Sequence, residues 1–259
     1  MISGTYKTMA FDPDLYCLLH RGVTGDLDFY TRLCANVKQV LELGCGDGRV
    51  AQSVVTTGCE VLGIDNHPQM IEKAVTARAG LPLEVGDRLT YQLADLCDLD
   101  LGRAFDRVIM PFTTIFCLNA DAKRRCMEGV LRHLNPGGRF ALDTYSADIF
   151  MTDEWSDDDG FSPLTSVVTD VAQVDIYERT TTDRAQRIAD VTYGHQVYPI
   201  SGEPYWVEYT IRHHYCLADE LSRLMLDVGF THVEVYGGFD GHALSEDADR
   251  VILVGDAPK

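Results

Sequence analysis

The run Val40-Leu41-Glu42-Leu43-Gly44-Cys45-Gly46-Asp47-Gly48-Arg49 decides the fold. It reads as a short buried strand, a turn with glycine at every second position, and the start of a helix. Glycine tolerates positive φ and has no Cβ to hold a ligand off the backbone. The helix that follows aims its unpaired N–H groups at whatever negative group the ligand carries. The pattern therefore describes a βα turn for a nucleotide-type cofactor. Two familiar glycine loops do not fit it. A phosphate-binding P-loop ends in Gly-Lys-Ser/Thr, whereas this turn ends in Gly48-Arg49-Val50. The dinucleotide fingerprint needs its third glycine where Arg49 stands.

Working outward, Glu60-Val61-Leu62-Gly63-Ile64 is a second apolar run closed by Asp65. A carboxylate at that strand tip suits paired hydrogen bonds to two ribose hydroxyls. Asn66-His67-Pro68-Gln69-Met70 opens a helix, with Pro68 near its first position. Leu89 to Ala94 is a strand ended by Asp95-Leu96, and Asp106 to Phe112 is a fourth. Leu134-Asn135-Pro136-Gly137-Gly138 turns into a fifth strand that reaches Asp143.

The remaining pattern, Glu-x-Gly-x-Gly-x-Gly, resembles the first motif of the class I S-adenosylmethionine (SAM)-dependent methyltransferases. The five strand-end elements follow in that family's order, over about Gln39 to Asp143. The resemblance implies an α/β fold, a Rossmann-like seven-stranded, mostly parallel sheet whose last strand is antiparallel. It implies SAM as cofactor and S-adenosylhomocysteine (SAH) as product. It places Glu42, Gly44, Gly46, Gly48 and Asp65 on the cofactor, with Asn66 and Met70 bordering ribose and adenine. Asp95 would accept from the adenine amino group while the Leu96 N–H reaches a ring nitrogen. Pro111 would lie where the chain turns beside the sulfonium.

Composition narrows the partners. Hydrophobic residues make up 46% of 259, enough for one α/β domain with an elaboration. No apolar stretch approaches the roughly 20 residues that span a bilayer. Met1 to Thr5 carries neither a basic nor an apolar leader region, so a cytoplasmic protein without membrane attachment is expected. The eight cysteines are scattered without a Cys-x-x-Cys pair, which points to reduced thiols and no bound metal. Against 40 Asp and Glu stand only 22 Lys and Arg, a net charge of −18. Nucleic acid is a poor partner for such a surface, and a small-molecule substrate the better one. A monomer or homodimer is expected.

The chain divides, on this reading, into a SAM-binding domain (1–147 and 215–259) and an inserted antiparallel β cap (148–214). Phe11 to Cys34 reads as two amphipathic helices packed on the main sheet, with Tyr16 and Tyr30 prominent, and the resemblance implies that they form a lid over the cofactor. Tyr30 is a candidate cofactor contact. Asp148 to Gly160 reads as an acidic solvated loop, and Thr180 to Arg184 as a polar turn between β-rich stretches. In the last stretch Tyr205, Val207, Tyr209, Ile211 and His213 share one face, against Trp206, Glu208, Thr210, Arg212 and His214. Such an insertion resembles the substrate cap of small-molecule methyltransferases, aminosugar N-methyltransferases among them. Ala218 to Val228 reads as the last large helix, stopped by Gly229, before a closing hairpin.

Methyl transfer asks mainly for proximity and alignment, worth about 7–11 kcal/mol of barrier. A hydroxyl or carbon acceptor also needs a base, for which His213, His214 and Tyr145 are the candidates. Tyr16, Phe112, Phe116, Tyr209 and Arg212 are candidate substrate contacts. The resemblance implies a mild preference for an amine acceptor, with hydroxyl and carbon acceptors open. Two alternatives stay open: a SAM-using cyclase or lyase, and a non-catalytic SAM-binding subunit.

Overall fold

The computed structural model describes residues 5–8, 12–152, 155–157 and 160–259. Phe11 and the carboxylates Asp153, Glu154, Asp158 and Asp159 lie outside the described residues. The elements run β1 (Thr5–Thr8), α1 (Pro13–Leu19), α2 (Asp26–Leu33), β2 (Gln39–Leu43), α3 (Arg49–Val54), β3 (Glu60–Asp65), α4 (Pro68–Arg78), α5 (Leu83–Gly86) and β4 (Leu89–Leu93). Then come β5 (Phe105–Met110), α6 (Ala120–Arg132), β6 (Leu134–Tyr145), β7 (Ser162–Val168), β8 (Ala172–Asp183), β9 (Ile188–Pro199) and β10 (Tyr205–His214). The chain closes with α7 (Ala218–Val228), β11 (His232–Tyr236) and β12 (Arg250–Asp256).

The larger unit, Gly22–Asp148 with Cys216–Lys259, is a seven-stranded sheet in the order β11-β12-β6-β5-β2-β3-β4. β2 to β6 are mutually parallel, and β12 runs antiparallel to both its neighbours. Such strands are covered on both faces, which is why β2 and β5 end in unbroken apolar or buried runs. The strand order reverses at β2, with β3 and β4 on one side and β5 and β6 on the other. In open α/β sheets ligands bind at such a switch point, outside the carboxyl ends of the strands. α6 starts where the Asn119 side chain accepts the Ala122 N–H, and α7 stops at Gly229 in the left-handed region.

The smaller unit, the chain through Arg21 with Ile149–Tyr215, is a five-stranded sheet ordered β1-β10-β9-β8-β7. β7 to β10 form an antiparallel meander, and β1 adds in parallel to β10. The N-terminal helices, expected together with the main sheet, divide: α1 groups with the smaller sheet and α2 with the larger unit. Asp12 caps α1 by accepting from the Asp14 and Leu15 N–H groups. The helix then buries Leu15, Leu18 and Leu19 against Ala172, Val174, Ile176 and Val197 of the smaller sheet. The turn expected over Thr180 to Arg184 is also corrected. β8 continues through Asp183, because β-branched threonines pair well with Ala189, Asp190 and Val191, and the chain reverses at Arg184 to Arg187. Among the described residues no helix is long and apolar enough to cross a membrane, and no three His, Cys, Asp or Glu side chains group to hold a metal.

Candidate cofactor site

The glycine turn after β2 sits at the switch point. Gly44, Gly46 and Gly48 all have positive φ, at 67°, 55° and 84°. A Cβ on Gly44 would stand 2.5 Å from Thr114 Cγ2, and one on Gly48 would stand 2.1 Å from Tyr91 Oη. At Gly46 a Cβ would meet nothing within 4 Å, so its bare backbone faces open space. The Gly46 N–H donates to Asp65 Oδ2 at 2.9 Å, and the His67 N–H to Asp65 Oδ1 at 2.8 Å. Those bonds fix the carboxylate at the tip of β3 and leave each oxygen a further lone pair for a ligand hydroxyl. Tyr91 was not singled out in the sequence. Its ring fills the space that glycine leaves at both Gly48 and Gly63.

Glu42 is 2% exposed, and its Oε2 has no hydrogen-bond partner among the described residues. Burial pushes its carboxyl up to about 8, against the opposing pull of Arg49. Arg49 is itself committed to Asp26, donating to both carboxylate oxygens at 3.2 and 2.5 Å. Met70 and Leu96 are buried, whereas Asn66 and Asp95 are exposed, and Asp95 Oδ1 accepts the Cys97 N–H at 2.8 Å.

The turn after β5 is the second part of the site. Phe112 and Thr113 take φ of 58° and 66°, two consecutive non-glycine residues in the left-handed region. Each such residue costs on the order of 1–3 kcal/mol and persists only where its surroundings over-determine it. Asp143, 1% exposed at the upper end of β6, provides that determination. Its Oδ1 accepts the Phe112 N–H at 2.9 Å and the Tyr30 hydroxyl at 2.6 Å. Its backbone carbonyl accepts the Thr113 N–H at 2.9 Å, and Arg250 pairs with Oδ2. Tyr30 is fully buried with its hydroxyl on Asp143. Neither Asp143 nor Arg250 stood out as a site residue in the sequence. Pro111 is buried, and its carbonyl accepts the Thr114 hydroxyl at 2.8 Å. Beyond the turn the Phe116 and Tyr145 rings meet edge to face with centroids 5.1 Å apart, and Lys123 Nζ lies 5.7 Å from the Phe116 centroid.

Within the smaller unit, Tyr209 and His213 share a face with Tyr193 and His195, as the β9–β10 register requires. Tyr16 and His20 of the N-terminal segment pack onto that face. Ring centroids are 4.1 Å apart for Tyr16–His20, 4.9 Å for His20–Tyr193 and 5.4 Å for His195–Tyr209. Burial holds both His20 and His195 down at about 4, well below the ordinary imidazole value. His214 and Arg212 occupy the opposite face, where Arg212 forms an exposed two-pronged pair with Asp190 at 2.8 and 2.7 Å. The strand alternation thus groups Tyr209 with His213 and separates Arg212 and His214, while α1 brings Tyr16 to the first pair. His20 and His195 carried no sequence signal beyond their residue type.

Comparison with known proteins agrees with this geometry. Residues 40–138 match the family described as "Methyltransferase domain". A ubiquinone biosynthesis O-methyltransferase from Schizosaccharomyces pombe is 30% identical over 135 residues, covering 50% of this chain and 47% of that protein. A carboxy-S-adenosyl-L-methionine synthase from Yersinia enterocolitica is 32% identical over 112 residues, covering 40% of this chain and 39% of that protein. The chain thus spans less than half the length of these curated relatives. The solved structure of the sugar N-methyltransferase KedS8 from Streptoalloteichus superposes with a TM-score of 0.77 at 17% identity. That superposition covers 100% of this chain and 99% of the other, a likeness of fold.

Proposed function

On the premise that residues 40–138 are a class I SAM-dependent methyltransferase domain, we propose that this protein transfers the SAM methyl group to a small-molecule acceptor, an amine by preference. The observation that carries the reading is the Gly46 backbone, open to a ligand and hydrogen-bonded to the Asp65 carboxylate. The residues fit the cofactor. Asp65 has lone pairs left for ribose hydroxyls, and the buried Glu42 carboxyl has an oxygen with no partner among the described residues. Bound SAM supplies an electrophilic methyl carbon, so the chain's own task is to orient and to exclude water.

The amine preference rests on the smaller unit. His20 and His195 stay neutral at pH 7, so this face is rich in proton acceptors and tyrosine rings and poor in fixed positive charge. Tyrosine faces attract a cation such as the protonated methylated amine. His213 is the base candidate on that face, and Tyr145 the one in the larger unit. Tyr16 and Tyr209 are the candidate acceptor contacts.

The test is thermal unfolding with SAM, SAH and NAD in turn, followed by an amine-first acceptor screen read by SAH formation. Ligand at about 100 times its dissociation constant adds roughly 2.7 kcal/mol, so SAM and SAH should stabilise and NAD should not. Absence of any SAM or SAH response would overturn the reading. The Yersinia relative favours one rival, a SAM-using enzyme that makes no methylated product. Consumption of SAM without SAH release would establish that rival.

A further inference from the structure

We propose that Asp143 is a positioning residue of the cofactor site, holding the Phe112–Thr113 turn in its left-handed conformation so that it braces the amino-acid end of the cofactor. The inference rests on the methyltransferase reading, in which the turn after β5 lies beside the sulfonium. It goes beyond that reading by assigning the work to a residue that itself faces the core.

The turn has no local cause for its conformation. Left-handed backbone is the province of glycine, with Asn and Asp a distant second, and neither Phe nor Thr has a local side-chain route into it. The chain therefore holds the turn from outside. Two N–H groups of the turn are fixed by one residue, the Phe112 N–H on the Asp143 carboxylate and the Thr113 N–H on the Asp143 carbonyl. The carboxylate is in turn oriented from two further elements, by the Tyr30 hydroxyl of α2 and by Arg250 at the start of β12. Phe239 closes the arrangement, its ring 5.9 Å from the Arg250 guanidinium carbon and 6.4 Å between centroids from Tyr30.

A fold in need only of stability would fill this space with apolar side chains, because a buried ion pair seldom outperforms them. Strained backbone fixed by buried charge is the arrangement of functional sites. The turn's next residue is already engaged there, since Thr114 occupies the volume that a Cβ on Gly44 would need. Moving Phe112 and Thr113 therefore moves Thr114 against the glycine turn.

The experiment compares two ligands by isothermal titration calorimetry: SAH, and 5′-methylthioadenosine, which shares the nucleoside but lacks the amino-acid tail. The proteins are wild type, Asp143→Asn and Tyr30→Phe, each checked for folding by circular dichroism. Asp143→Asn keeps the shape and sets an amide N–H₂ against Arg250. Tyr30→Phe removes one hydroxyl and keeps the ring packing. SAH affinity is expected to fall about tenfold in Asp143→Asn and about threefold in Tyr30→Phe, the scale of a disturbed buried hydrogen bond. Methylthioadenosine affinity should stay within about twofold of wild type, about 0.4 kcal/mol. A folded Asp143→Asn with wild-type SAH affinity overturns the proposal. So does a parallel loss for both ligands, which would mark a general structural role. If Asp143→Asn does not fold, Tyr30→Phe decides by the same two criteria. Wild type that binds neither ligand would instead sink the methyltransferase reading, leaving a distinct signature.

Discussion

Replacing Glu42 by Gln tests whether the buried carboxyl beneath the glycine turn is protonated in the folded protein. Burial raises it from 4.5 to about 8, while an unfolded chain keeps the ordinary value. Below pH 4.5 both states hold the proton, and its contribution to stability is complete. Between 4.5 and 8 the unfolded chain has released a proton that the folded chain retains, so stability falls as pH rises. At about 1.4 kcal/mol per unit, the loss is about 3 kcal/mol at pH 7 and levels off near 5 kcal/mol above pH 8. Gln is a neutral near-isostere and carries no such slope. Urea unfolding of both proteins, followed by circular dichroism between about pH 5.5 and 7.5, isolates the effect because all other titrations cancel in the difference. Glu42→Gln should gain on wild type by about 1.4 kcal/mol for each pH unit. A constant offset from a changed hydrogen bond leaves that slope intact. A difference that does not vary with pH, or that shrinks as pH rises, would refute the reasoning.

Four other outcomes are expected. Gly48→Ala should cost more stability than Gly46→Ala, because both positions add about 1–2 kcal/mol of left-handed strain but only the first drives a methyl into Tyr91; thermal melts give the order. Gly46→Ala should instead lose SAH affinity, having placed a methyl in the open space that a ligand would use, and calorimetry reads it. Asp65→Ala should weaken SAH about tenfold or more, on the scale of charge-assisted hydrogen bonds, and near-native affinity would remove Asp65 from the ribose role. His195, fully buried and lowered from 6.5 to about 4, contributes stability that is present above pH 6.5 and lost as pH falls through 4. His195→Phe should therefore lose less stability than wild type on acidification, by about 3 kcal/mol at pH 4, measured by unfolding of each.

What the sequence discloses is what neighbouring residues determine together. The glycine turn, Asp65 at its strand tip and the Gly229 stop are local features with a local physical cause, and each was legible. The face alternation of β10 was equally plain, since its period needs only ten residues. The hold on Phe112 and Thr113 was not legible. Tyr30 and Arg250 lie 113 and 107 residues from Asp143, and nothing in either neighbourhood marks it as a partner. β1 was missed for the same reason, being four residues whose pairing comes from Tyr205 to Glu208. At Thr180 to Asp183 the polarity of the side chains suggests a turn, but the β preference of threonine prevails.

The pairing of Thr5 with Tyr205 also sets an order of events during synthesis. β1 leaves the ribosome long before its neighbour β10 exists, and the larger unit lacks β11 and β12 until Asp256 has been added. Domains emerging from the ribosome ordinarily fold N-terminal first. Here neither unit can, because each is assembled from two separated stretches and both wait on the C-terminal half. A nascent chain stalled after Asp148 would therefore hold a five-stranded parallel sheet with one edge still uncovered, and an N-terminal segment with nowhere to dock.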